Sequence, residues 1–182
     1  MPHLGVNAIN KAANAIARLE RFNFDATPHP LLGAPTLNVG TMRGGINLNS
    51  VPDRAEFTID IRTIPGQDHP TLIRRLGSYL GKEVSLSPVA DVAGVWTAAD
   101  EPWVQEVYEI TEPLLGEKPK LRGAPYFTDA AALKPSFNGA PTVILGPGDM
   151  TLAHQTDEYC AVDQIEEAAS IYEAIARRWC EL

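Results

Sequence analysis

Several large protein classes are excluded by what this chain lacks. Its 182 residues include only two cysteines, Cys160 and Cys180. They have no close-paired spacing, so no disulfide framework or paired-cysteine metal motif is written into the sequence, and a reducing, cytoplasmic compartment is expected. No apolar run approaches the roughly 20 residues that cross a bilayer. The opening MPHLGVNAINKAANAI lacks the charged start and apolar core of a secretory signal. Positive charge is sparse and scattered: 15 Lys and Arg stand against 23 Asp and Glu, a net charge of -8. That balance argues against nucleic acid and against an anionic membrane as partners, since both favour a basic patch.

What remains is an ordinary globular composition, 45% apolar and 21% charged, in a chain long enough for one domain or two small ones. Val6, Ile9, Ala13, Ile16 and Leu19 recur at helical spacing and predict a helix over about residues 5–22. A loop rich in proline follows. Residues 36–42 alternate as a strand, Gly44-Gly45 breaks it, and residues 55–62 alternate cleanly, with Phe57, Ile59 and Ile61 on one face. Leu72, Leu76 and Leu80 mark a helix over 69–80 with Pro70 in its first turn, and Val84 and Leu86 suggest a third strand over 83–89. The order helix, strand, strand, helix, strand becomes the split β-α-β-β-α-β arrangement if one strand is added in front, so the chain is expected to start inside a domain. Helices should then lie on one face of an antiparallel sheet. The free edge of that sheet should be covered by a partner chain or a borrowed segment.

Residues 91–101 loosen into a crossing between domains. Beyond it Trp103, Val107, Ile110 and Leu114 predict a helix over 102–115, residues 120–126 a short strand, Asp129–Leu133 a helical turn or two, and 142–145 a buried strand. Ile165, Ala168, Ala169, Tyr172, Ala176 and Trp179 mark a closing helix. This is a thin inventory for an α/β layer, and residues 95–182 read as half of a domain.

The candidate chemistry lies on loops. His154 follows the 142–145 strand in a Gly/Pro/Asp loop, where ligands collect at strand ends; it is a candidate metal ligand, or else a surface or capping residue. Asp157 and Glu158 beside it are either carboxylates that orient an imidazole or the acidic first turn of a helix. Asp129 sits in FTDAAA, where Thr128 or Asp129 also fits a helix cap. Gly146-Pro147-Gly148-Asp149 exposes amides suited to a carboxylate, without the lysine or full glycine pattern of a phosphate loop. Asn47, Asn49 and Arg54 surround a tight turn and are turn chemistry or anion-orienting groups.

Four segments in order, PHLGVNAI, GGINLNSVPDRAEFTIDIRTIPG, PYFTDAAAL and PTVILGPGDMTLAHQTDEY, resemble the zinc-dependent amidohydrolase and peptidase family that includes acetylornithine deacetylase, succinyl-diaminopimelate desuccinylase and aminoacylase. The resemblance covers essentially the whole chain. It implies an α+β, ferredoxin-like lid or dimerisation domain over residues 1–93, lacking its first strand. It also implies that residues 94–182 are the C-terminal segment of a two-metal α/β catalytic domain. In that reading His154 matches the last metal-binding histidine, Asn49 the lid loop that approaches the active site, and Asp129 and Gly148 the substrate pocket. Two Zn2+ (or Co2+) would serve the complete enzyme, with a homodimer formed through the lid.

The family's histidine-x-aspartate ligand pair is absent here, and the one Glu-Glu, Glu166-Glu167, falls in the closing helix rather than at a general base. The chain therefore reads as the C-terminal half of an enzyme, with no catalytic residue of its own and no tight metal binding alone. The implied reaction is hydrolysis of an N-acyl amino acid. Desuccinylases of the family carry an arginine two residues after the aspartate matched by Asp129; Ala131 stands there, which favours N-acetylornithine over a succinyl diacid. The competing expectation is a non-catalytic dimerisation or binding module.

Overall fold

The computed structural model describes residues 2–124, 126–153 and 155–182 and divides into two compact units, Met1–Gly94 and Val95–Leu182. The class is α+β: five α-helices and an antiparallel pair of strands among the described residues.

In the first unit the helix α1 (Ala8–Leu19) begins where Asn7 accepts a hydrogen bond from the Asn10 amide at 3.1 Å, occupying one of the donors a helix start leaves free. The strands β1 (Thr36–Gly44) and β2 (Ala55–Arg62) pair antiparallel, with Leu37 opposite Ile61 and Val39 opposite Ile59. Helix α2 (His69–Leu80) is capped by Asp68, whose carboxylate accepts from the Thr71 amide at 2.8 Å, and carries Pro70 in its first turn. Ala15 and Leu19 of α1 meet Leu76 and Leu80 of α2, and this cluster rests on Leu37, Val39, Phe57, Ile59 and Ile61. Both helices thus lie on the strand face that the alternation in 55–62 assigns to the core.

The face of α1 differs from its expected one. Ala12, Ala15 and Leu19 are buried, whereas Val6 and Ala13 are exposed and Ile9 and Ile16 are half-buried. Small alanines let the helix approach the sheet closely. The larger Ile9 is displaced to the strand end, where a Cβ added to Gly44 would lie 3.0 Å from it and 2.9 Å from the Ala55 Cβ.

The register slips by one residue between Val39 and Thr41. Gly40 is the extra residue of this bulge, and the Thr58 hydroxyl fills the gap by accepting from the Thr41 amide at 3.0 Å.

The expected strand over 83–89 does not form. Val84 and Leu86 do pack against the core cluster, but residues 83–89 make no ladder with β1 or β2. Alternation specifies which side chains are buried; it does not supply a backbone partner, and Pro88 has no N–H to give. Arginines close the helix ends instead. Arg18 donates to the Tyr79 carbonyl and, at 3.4 Å, to the Leu80 carbonyl at the end of α2, while Arg75 donates to the Phe24 and Asn23 carbonyls at 2.8 and 3.0 Å.

In the second unit the helix α3 (Pro102–Leu115) starts at Glu101, which accepts from the Trp103 amide at 2.8 Å. It buries Val104, Val107, Ile110 and Thr111; Thr111 is 1% exposed and returns its hydroxyl to the Val107 carbonyl at 2.7 Å. Helix α4 (Ala130–Ser136) is short, and α5 (Val162–Trp179) packs on α3 and buries Ala168 and Ile171. The buried face of α5 is rotated from the expected one: Ile165, Tyr172 and Trp179 are largely exposed. Trp179 meets Trp103 edge-on at 5.2 Å.

Neither expected strand of this unit, 120–126 or 142–145, is found among the described residues. Ile144 is 49% exposed, so the run is not a buried strand. Its backbone is held by side chains: the Thr97 hydroxyl accepts from the Thr142 amide at 2.9 Å, and the Tyr172 hydroxyl donates to the Leu145 carbonyl at 2.9 Å. A short apolar run is compatible with a strand only where a neighbouring backbone completes the ladder.

Candidate functional site

Asn49 stands at the tip of the β1–β2 connection. The base of that loop is pinned where the Ala8 amide donates to the Pro52 carbonyl at 2.8 Å and the Gly45 amide to the Arg54 carbonyl at 3.4 Å. Beyond the pins residues 46–50 form an exposed turn, with Ile46 and Leu48 beside Asn49 fully in solvent. At its root, Glu56 accepts from Arg43 at 2.8 Å and lies 3.6 Å from Arg54. The Arg43 hydrogen bond and charge hold the Glu56 carboxyl below the usual carboxylate range, with a smaller pull from Arg54. Arg54 is therefore already beside a carboxylate, whereas Asn49 is exposed on the loop beyond the two backbone bonds.

Asp129 immediately precedes α4. Its carbonyl accepts from the Ala132 and Leu133 amides at 2.9 Å each, yet its side chain makes no capping bond. The capping reading of the sequence is therefore wrong for the Asp129 carboxylate, which is exposed and unspent on the helix. Lys134 on the same helix donates to the Ala140 carbonyl at 2.8 Å and to the Thr97 hydroxyl at 3.3 Å, tying the end of α4 to the 140–142 segment. A lysine in a helix reads from sequence as a solvated charge, so this brace was not foreseen.

Gly148 has φ +89, a conformation L side chains rarely adopt, and an added Cβ would lie 3.4 Å from the Cys160 Sγ. The next residue, Asp149, accepts from the Thr151 amide and the Thr151 hydroxyl, each at 2.8 Å, and caps the short 3-10 helix Met150–Leu152. Those bonds, with a lesser contribution from Arg122, keep its carboxyl below the ordinary range. Asp149 thus shapes the turn and is a poor proton carrier near neutrality. An Asp-x-Thr spacing is the sequence signal that could have found it, and the reading of the loop for exposed amides passed over it. Asp129 and Gly148 share no direct hydrogen bond among the described residues.

His154, the candidate metal ligand, lies outside the described residues. Asp157 takes φ 62, the left-handed region that aspartate tolerates, and Glu158 is exposed; both precede α5, whose first turn carries Asp163. They are therefore not that helix's acidic first turn. Among the described residues no group of three or more His, Cys, Asp or Glu is arranged to hold a metal ion. The described donors do not fit a metal by themselves.

Comparison with known proteins shows what the chain is similar to. Residues 1–85 match the family model of the peptidase dimerisation domain of the M20 peptidases. The chain is 29% identical over 191 residues to an acetylornithine deacetylase of Klebsiella pneumoniae, covering 98% of this chain and 48% of that protein. It is 28% identical to the Vibrio cholerae acetylornithine deacetylase with the same coverage. Aminopeptidase PepT of Bacillus cereus shares the fold at a TM-score of 0.68 and 23% identity, over 96% of this chain and 46% of that one. The M20 family metallo-carboxypeptidase Sso-CP2 of Sulfolobus solfataricus does so at 0.65 and 18%, over 98% and 43%. Residues 1–85 are therefore similar to a peptidase dimerisation domain, and the chain along nearly its whole length is similar to acetylornithine deacetylases. It spans about half the length of the curated relatives it matches.

Proposed function

We propose that residues 1–93 form the lid or dimerisation domain, and residues 94–182 the C-terminal segment of the catalytic domain, of a metal-dependent amidohydrolase that cleaves N-acyl amino acids such as N-acetylornithine. The observation that carries this reading is similarity to acetylornithine deacetylases along 98% of the chain. The unspent Asp129 carboxylate supports it: an exposed anion just before a helix can hold a substrate ammonium group. Ala131 supports the acetyl over the succinyl substrate, because no guanidinium stands there to clamp a second carboxylate.

In this proposal Asn49 orients the substrate from the lid loop, the backbone at Gly148 offers its amide to a carboxylate, and His154 is a metal ligand. The chemistry at the metal needs further ligands beyond the described residues, and no proton-transfer step falls to this chain. The large apolar side chains left exposed in the second unit, Phe127, Phe137 and Ile144 among them, suit a segment that packs against more of a catalytic domain. The lid pairs with a second copy to give a homodimer in a cytoplasmic enzyme. Among the described residues no helix is long and apolar enough to cross a membrane.

The test joins this chain to the N-terminal half of the Klebsiella pneumoniae deacetylase and assays N-acetylornithine against N-succinyl-diaminopimelate. Deacetylation with a preference for the acetyl substrate is expected. A preference for the succinyl diacid overturns the substrate, and a folded, assembled but inactive pair favours the non-catalytic dimerisation module. In the active pair, D129N should raise KM for N-acetylornithine about tenfold or more, the scale of one lost charge-assisted hydrogen bond.

A further inference from the structure

The first unit has a shallow, open groove of about 570 Å³, lined by Arg21, Arg74, Arg75, Thr71 and Ser78 with Phe22 and Tyr79. No carboxylate lines it, in a chain whose net charge is -8. Its arginines differ in what they already do. Arg75 is committed to the Asn23 and Phe24 carbonyls and stacks over Phe22, 6.0 Å from the ring centre. Arg74 donates once, to the Thr71 hydroxyl at 2.6 Å, and its charge reaches Asp68 at the start of α2. Arg21 has no hydrogen bond or ion pair through its side chain among the described residues. Two exposed guanidiniums, each able to donate five hydrogen bonds, therefore line one open surface with most of their donors unused.

We infer that this groove binds a small multivalent oxyanion, held by Arg21 and Arg74 with the Ser78 hydroxyl, while the Thr71 hydroxyl, spent on Asp68, positions Arg74. Planar guanidinium forks match phosphate and carboxylate oxygens alike, so the shared chemistry is two or more clustered oxyanions on one small molecule. Arg75 contributes charge from a fixed position, because its fork already holds the loop behind it. The site is independent of the proposed hydrolytic reaction and of any metal.

The test is titration of the whole chain with pyrophosphate and, separately, citrate at low ionic strength, read by calorimetry and by amide shifts in a two-dimensional NMR spectrum. Saturable binding is expected, with shifts concentrated at residues 21–23 and 71–79, and tighter binding by one of the two anions identifies a phosphate or a carboxylate source. R21Q/R74Q should weaken binding at least about tenfold, while R177Q/R178Q on α5, with the same loss of charge, should leave it unchanged. Because the shift map is read on the unsubstituted protein, it decides the matter even if R21Q/R74Q folds poorly. Absence of saturable binding by both anions, shifts that lie elsewhere, or equal weakening by the two double substitutions would overturn the inference.

Discussion

The two units use their apolar residues in different ways. In the first, side chains from two helices and two strands converge on a shared centre around Leu19, Leu76 and Leu80. In the second, burial is concentrated where α3 meets α5, while the 140–152 segment is held by individual bonds from Thr97, Lys134 and Tyr172. A sheet gives helices a continuous apolar face to cover, whereas a segment without strand partners depends on separate polar ties, each worth about 1 kcal/mol. Gly148, one of the candidate site residues of the second unit, lies on the part that is tied, not on the part that is packed.

This contrast can be broken most directly in the cores. L76A, at a position 3% exposed, should destabilise the first unit by about 2–5 kcal/mol in denaturant unfolding, whereas I165A, at a half-exposed position of α5, should cost less than about 1 kcal/mol. Equal losses would show that α5 is buried through the face expected from its sequence. G44A should cost about 1–3 kcal/mol, because the new methyl would meet Ala55 and Ile9 within 3.0 Å. Y172F, which deletes the bond to the Leu145 carbonyl, should cost about 0.5–1.5 kcal/mol. It should also speed amide exchange in residues 142–146 while leaving the first unit untouched.

The smallest expected effect is on pH dependence. Asp68 is held below its usual range first by the Thr71 hydroxyl, then by the Thr71 amide, with smaller contributions from Arg74 and His69; Asp149 is held there by Thr151. A carboxyl with a depressed folded-state pKa contributes fully above its unfolded value, and the contribution is lost as pH falls through the folded one. D68N and D149N should therefore flatten the acid loss of the Thr71 and Thr151 amide protection respectively, with little change at neutral pH because asparagine also caps. A D68N protein whose acid profile matches the unsubstituted one would show that the cap does not titrate with the helix.

Helices α2 and α3 and strand β2 were legible to the residue, because each has a polar cap or a clean alternation and a proline where a helix can accept it. The α1 and α5 faces were not, since periodicity fixes a spacing but the packing partner selects the stripe. The candidates Asn49, Asp129 and Gly148 came from residue type together with the family resemblance. Their states were hidden: whether the Asp129 carboxylate caps its helix depends on the backbone angle at one residue, and Gly148 is required by a positive φ that sequence does not display.

By itself the sequence determined the two-stranded hairpin and the extents of α2 and α3, all set by interactions within a few residues of one another. Only the tertiary structure decided that 83–89 and 142–145 remain outside any ladder among the described residues, that Gly40 forms the bulge closed by Thr58, and that Arg18 and Arg75 serve helix and loop carbonyls while Arg21 and Arg74 keep donors free. A ladder or a long side chain's partner depends on atoms far along the chain, and local propensity carries no information about where those atoms come to lie.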